Sequence, residues 1–275
     1  MWNLLDLGVF ETCVSKLLRR IIRAASLPLQ EEQPSLKARN YPHAMPAKLK
    51  VSEPPKPPAR RIKAATWQSL LDTGMQLIKD RGHIPSVAEV ALHAQVSRAT
   101  AYRYFPSRSA LITAIIDSSL GPVRSLASDT PDGRKRVHEL FEHTFPRFKE
   151  YEAQLRAAAQ LTLEQWALER AGLLEEEPYR RGHRVRILEH AIEPLTPLLP
   201  AATKRRLHRA LSVVYGIEPY IILKDIWGLP DRDVERTALW MANALIDAAL
   251  REAGQPVGAP RVAVAGVTAI PGTAA

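Results

Sequence analysis

From Ile62 onward, apolar positions recur at three- and four-residue spacing. Trp67, Leu70, Leu71, Gly74, Met75, Leu77 and Ile78 form one helical stripe, which Asp80-Arg81-Gly82 brings to a stop. Further runs with helical period cover 86–94, 98–104, 107–127, 133–149, 151–171, 179–199, 202–227 and 231–252. Pro131-Asp132-Gly133, Glu175–Pro178, Pro200 and Gly228-Leu229-Pro230 punctuate them. No run alternates with period two for long enough to build a sheet. The pattern predicts an all-α protein, with Pro219 kinking a helix over 202–227.

Outside this region the pattern changes. Eight prolines lie between Pro28 and Arg61, ending in Glu53-Pro-Pro-Lys-Pro-Pro-Ala-Arg-Arg61, which predicts an extended, solvated arm. Residues 1–28 mix apolar side chains with Lys16, Arg19, Arg20 and Arg23 placed after the apolar stretch, the wrong order for a secretory signal. Two readings stay open there: a membrane-surface helix, or a loosely structured extension, with Met45 as an alternative start. The last 23 residues, rich in Ala, Gly, Val and Pro, read as a disordered tail. The expected organisation is a basic extension over 1–61, a small helical module over 62–111, a larger helical domain over 112–252, and the tail 253–275.

Charge sharpens this division. The net charge of the 275 residues is +9, a balance that permits nucleic acid or an anionic membrane as partner. The surplus lies almost wholly in the first two segments, because 112–252 carries 20 basic and 21 acidic residues and the tail adds only Arg261. No stretch is long and apolar enough to predict a membrane span. A single cysteine, Cys13, excludes an internal disulfide framework and a cysteine-clustered metal site, and fits a reducing, cytoplasmic compartment.

Ser86-Val-Ala-Glu89 is a capping box ahead of the apolar positions Val87, Val90 and Ala91. After Gln95-Val96, Ser97 is suited to cap a second short helix through Tyr104. Two short helices joined by such a turn make a helix-turn-helix, with Ala91 small at the crossing and Val96 and Ala101 sealing it. The second helix holds Arg98, Thr100, Tyr102, Arg103 and Tyr104 with no acidic residue among them, a set of donors suited to phosphate oxygens and base edges. Ser107 can cap the helix that follows, whose first amides and Arg108 then offer a phosphate site.

The stretch from Ser86 to Leu111 closely resembles the DNA-binding module of TetR-family transcriptional regulators, specifically over about 63–112. One departure is Gln95, where the family usually has glycine. At positive φ a side chain there costs on the order of 1 kcal/mol. The resemblance implies backbone contacts to DNA from Thr100, Tyr102, Tyr104 and Arg108. It implies base-edge contacts from Arg98, Ala99 and Arg103, and a DNA contact from Lys63, with Arg60 and Arg61 just ahead. Ser97, the cap of the same helix, is counted with them among the DNA-binding residues. The expected fold is then a three-helix DNA-binding domain followed by an all-helical effector-binding and dimerisation domain.

In that second domain, Leu211, Val213, Val214, Ile217, Ile221, Ile222, Leu223 and Ile226 face several directions. So do Leu239, Trp240, Met241, Leu245, Ile246 and Leu250. Helices apolar on more than one side need another layer, and the resemblance implies a homodimer through these two helices on a pseudo-palindromic, double-stranded operator. Phe148, Leu163, Trp166, Tyr215 and Tyr220 are candidates to line a pocket for a small-molecule effector, although each also suits an ordinary core. The expected activity is transcriptional regulation, as a repressor released by its ligand; the competing reading is a protein-interaction or membrane-associated adaptor on the same fold. No catalytic motif, cofactor or metal site is expected: His138 and His143 are five apart and cannot share one helix face as zinc ligands. The run Glu175-Glu176-Glu177 reads as a solvated loop, weakly paired with Arg180 and Arg181.

Overall fold

The computed structural model describes residues 51–124 and 128–255. The amphipathic N-terminus, Cys13, Met45 and the tail beyond 255 lie outside the described residues. Within them every regular element is helical. Helix α1 (Arg61–Arg81) stops where Gly82 turns left-handed at φ 72 and returns its N–H to the Ile78 carbonyl at 2.8 Å. Helices α2 (Val87–His93) and α3 (Arg98–Tyr104) follow, and α2 packs on both α1 and α3. Trp67 of α1 is the centre of this module. Its ring lies 4.4 Å from Phe105 and meets Tyr104 edge-on at 6.1 Å.

Helix α4 (Arg108–Arg124) runs through the expected domain boundary at 111/112 as one continuous rod. Its Leu111, Ile112 and Ile115 are fully buried, and it packs on α1 at one end and on α5 (Gly133–Glu150) and α6 (Glu152–Arg170) at the other. A second tie joins α6 to α1, where the Gln154 side chain donates to the Met75 carbonyl at 3.1 Å. The module and the larger domain therefore share a rigid element instead of a linker.

Two expected helices are broken. Residues 173–182 form no helix, and α7 covers only His183–Ala191 before a 3₁₀ segment, Glu193–Leu198. Pro178 and Gly182 hold off the start, and Pro194 and Pro197 end α-helical bonding. The run 202–227 is likewise split, into α8 (Ala201–Val214) and α9 (Ile217–Asp225), by Gly216 at φ 148. A Cβ at that position would lie 2.6 Å from an Arg184 nitrogen, so the close approach requires glycine. Pro219 therefore kinks nothing: it sits in the first turn of α9, where a missing N–H leaves no bond unmade.

Helix α10 (Asp231–Glu252) closes the domain along α8 and α5. It buries Val234, Ala238, Ala242 and Ile246, a ridge of four-residue spacing whose alanines admit close approach. Arg134 of α5 fixes the register by donating to Asn243 at 2.9 Å and to Asp247. The core between them is aromatic: Phe141, Phe145, Phe148, Tyr215 and Tyr220 have neighbouring ring centroids 5.2–6.4 Å apart. Their burial supplies much of the hydrophobic stabilisation of the domain.

Candidate nucleic-acid interface

Local bonding explains how the short helices α2 and α3 persist. The Ser86 hydroxyl accepts from the Glu89 amide at 3.2 Å while the Glu89 carboxylate accepts from the Ser86 amide at 2.8 Å, closing the capping box. Burial alone would raise the Glu89 pKa; the Ser86 bonds and Arg81 outweigh it and hold the group below the usual carboxylate range. The Ser97 hydroxyl accepts from the Thr100 amide at 3.2 Å and donates to the Thr100 hydroxyl at 2.9 Å. Between them Gln95 sits at φ 54, the single non-glycine residue at positive φ among the described residues. Ala91 and Ala101 are fully buried at the crossing, and Val96 packs against the same core.

This fixes which side of α3 meets solvent. Ala101 points inward, whereas Arg98, Ala99, Tyr102 and Arg103 are exposed and Thr100 and Tyr104 are half-buried. Tyr104 is held by Trp67, and the Arg103 guanidinium lies over its ring at 5.6 Å. Arg60, Arg61 and Lys63 are exposed at the start of α1. The exposed surface of α3 thus carries two guanidiniums, a phenol and a methyl group with no carboxylate among them.

Arg108 departs from the expected role. Its guanidinium donates to Glu164 of α6 at 3.1 and 3.4 Å and to the Ile84 carbonyl at 3.3 Å, while its Nε is buried without a partner. The nitrogens expected on a phosphate are held by the larger domain. The first amides of α4 are also taken: Ala110 donates to Ser107, and Ser109 donates to Glu176 at 3.5 Å. Glu176 is therefore no solvated loop residue. Gln165 joins it by donating to Glu176 and to the Ser109 hydroxyl, both at 2.8 Å, and accepts from the Tyr179 amide at 2.7 Å. Arg181 bonds Glu218 at 2.6 Å instead of the acidic run.

The five candidate pocket residues separate. Phe148 and Tyr215 line a cavity of about 680 Å³, its mouth included, with Ile116, Leu120, Leu155 and Ile217 among the other walls. Tyr215 is buried, which pushes its phenol up to about 12, and its hydroxyl pairs with Thr144 at 2.8 Å. Tyr220 lies deep in the core but off the cavity, donating to Asp231 at 2.6 Å. Leu163 and Trp166 are on the outer face of α6, 71% and 61% exposed, because the α6 stripe that packs inward is Gln154, Leu155, Ala158, Leu161 and Gln165. Arg124, Tyr179, Arg181, His183 and Arg184 line the cavity and were missed by sequence reasoning, although the basic run 180–184 was visible. His138 bonds Asn243 and His143 bonds its own helix, and no group of three metal-ligating side chains gathers among the described residues.

The architecture defines an all-α protein that displays a helix-turn-helix on a larger helical domain. Residues 70–115 match the family of bacterial regulatory proteins called the tetR family, over the helix-turn-helix and parts of the helices that flank it. The match supports DNA-binding transcription regulation as the role of this stretch. The fold agrees with the crystal structure of a tetR-family transcriptional regulator from Streptomyces coelicolor, at a TM-score of 0.50 and 17% identity over 69% of this chain and 85% of that one. No curated protein matches the sequence. Among the described residues no helix is long and apolar enough to cross a membrane.

Proposed function

We propose that the protein is a one-component repressor that binds a pseudo-palindromic operator as a homodimer and leaves it when a small ligand fills the cavity. The observation that carries the reading is the exposed face of α3: Arg98, Ala99, Tyr102 and Arg103 stand clear of the core on a helix anchored at both ends. Arg98 and Arg103 suit the acceptors of guanine, Ala99 a thymine methyl, and Tyr102 and Thr100 the phosphates. Lys63 adds a contact at the start of α1. Residues 62–111 serve as the DNA-reading part and 112–252 as the effector-binding and dimerising part.

The proposed coupling runs through bonds already described. Tyr179 lines the cavity and its amide is held by Gln165, which also grips Ser109 at the start of α4. A ligand that shifts the 173–182 segment acts on α4, and through it on the spacing of two recognition helices. The effect is reciprocal, so operator DNA weakens ligand binding by the same factor. Selection of genomic fragments on the purified protein tests the reading. A shared palindromic site is expected; fragments with no common site overturn it. In titrations on that site, Tyr102→Phe weakens binding to every sequence alike, and Arg103→Ala costs about 1–3 kcal/mol on the preferred site and relaxes preference there.

A further inference from the structure

The cavity has walls of two kinds. Ile116, Leu120, Phe148, Leu155, Ile187 and Ile217 make an apolar side. The lining also includes Arg124, Arg181, Arg184 and Tyr179, and no carboxylate lines the space among the described residues. Glu53 acts on the His183 imidazole and pairs with Arg186 at 3.8 Å, and two further acids pair with the guanidiniums. Glu218 accepts from Arg184 at 2.7 and 2.9 Å and forms an ion pair with Arg181 at 2.6 Å, and Asp117 accepts from Arg124. Three guanidiniums therefore share two carboxylates, leaving one positive charge at an apolar cavity. Burial, with Arg124 adding to it, pushes the His183 imidazole below its ordinary value, so His183 is mainly neutral at pH 7 and the excess rests on arginine.

Arg184 is occupied structurally, since it also donates to the Ser212 and Tyr215 carbonyls at 3.0 and 3.2 Å. Arg124 and Arg181 retain unused donors toward the cavity, and their guanidiniums are partly exposed. The Tyr179 ring is buried and its hydroxyl has no hydrogen-bond partner among the described residues. Burial pushes that phenol up to about 12, so it remains a donor at neutral pH, and the charges acting on it are those of the same three arginines. A phenol donor open to the cavity beside excess positive charge suits an anion.

We infer that the cavity takes an amphipathic anion, its apolar body against Ile116, Leu120, Phe148, Leu155 and Ile217 and its acid group at Arg124, Arg181 and Tyr179. The inference rests on the reading of this cavity as the effector site. The headgroup chemistry is that of a carboxylate or a phosphate monoester.

The test is calorimetric titration of the full chain, without DNA, using decanoate, decyl phosphate, decanol and decyltrimethylammonium below their micelle concentrations. At least one of the two anions is expected to bind about ten-fold or more tighter than decanol, with the cation weakest; the tighter anion identifies the headgroup. Arg124→Gln with Arg181→Gln reduces anion affinity about ten-fold and leaves decanol unchanged, and Tyr179→Phe, which keeps the ring, reduces it several-fold. Equal affinity for decanol and both anions, tighter binding of the cation, or an equal loss of all probes in these variants overturns the inference. Operator affinity is read separately with the preferred anion present. Anion-selective binding with unchanged operator affinity overturns ligand release and keeps the pocket; intact operator binding with no anion selectivity overturns the pocket chemistry alone.

Discussion

At the scale of single residues, local chemistry was the most legible part. Ser86 and Glu89 are three positions apart, and so are Ser97 and Thr100, so their bonds follow from sequence spacing alone. Gln95 is legible for the same reason, and its φ of 54 carries a prediction. Gln95→Gly relieves left-handed strain of about 1–2 kcal/mol and gives back part of it as added freedom of the unfolded chain. The net expectation is about 0.5–1 kcal/mol of stabilisation, seen as a higher urea midpoint with an unchanged slope. Arg108 was illegible because its partner, Glu164, lies 56 residues away. That pairing competes with a phosphate. Glu164→Gln removes the competing charge, so DNA affinity should rise a few-fold and the salt dependence should steepen by about one counterion. An unchanged salt slope would mean that Arg108 stays off the DNA.

At the scale of elements, helices with a clean stripe and caps were read within a residue or two, among them α3 and α10. The misses share one cause. A glycine or proline inside an apolar run leaves the periodicity intact while the backbone turns, as at Gly216 and across Pro194 and Pro197. The cavity was half legible for the same reason, because Arg181, Gly182 and Gly216 line it only once those helices break. The break at Gly216 is held by Arg184 and Glu218, which gives an acid-sensitive joint. Burial alone would raise the Glu218 pKa, but Arg184 and Arg181 outweigh it and hold the group below 4.5. Its contribution is complete above that value and is lost as pH falls through the lower, folded-state pKa. Glu218→Gln should therefore flatten the acid limb of a stability-against-pH curve and leave its shape above pH 6 unchanged. Gln165 tests the proposed link between elements. Gln165→Leu keeps the volume but leaves the Tyr179 amide and the Ser109 hydroxyl unpaired, at a cost of about 1–3 kcal/mol. Operator affinity without ligand should change little, whereas the shift produced by a bound ligand should shrink; an undiminished shift would route the coupling elsewhere.

At the scale of the molecule, the placement of charge and of unburied apolar surface divides the labour. Basic groups without carboxylate neighbours gather on α3 and the start of α1, while 112–252 is balanced and meets its acids in cross-helix pairs such as Arg134–Asp247 and Arg156–Asp225. The apolar excess predicted for the last helices resolves into two sets. Leu211, Ile217, Ile246 and Leu250 are consumed in the core, and so are Ala238, Ala242 and Ala249. Val213, Ile222, Ile226, Trp227 and Trp240 are left over; Val213 and Trp240 are 70% and 69% exposed. A single copy gains nothing by leaving two tryptophans in water, and the proposed second copy, set against α8 and α10, would take Trp240 out of it. Trp240→Glu puts a charge where the proposed two-fold contact excludes water, and the position bears no load inside the protomer. Sedimentation velocity should find monomers at concentrations where the parent chain is dimeric, with an unchanged far-ultraviolet dichroism spectrum. Operator affinity should fall about 100-fold or more, because each half-site is then bound without the advantage of tethering. Tyr102→Phe, by contrast, should weaken binding without altering mass. A Trp240→Glu protein that still sediments as a dimer with full operator affinity would move the interface off this face, and the exposed tryptophans would need another partner.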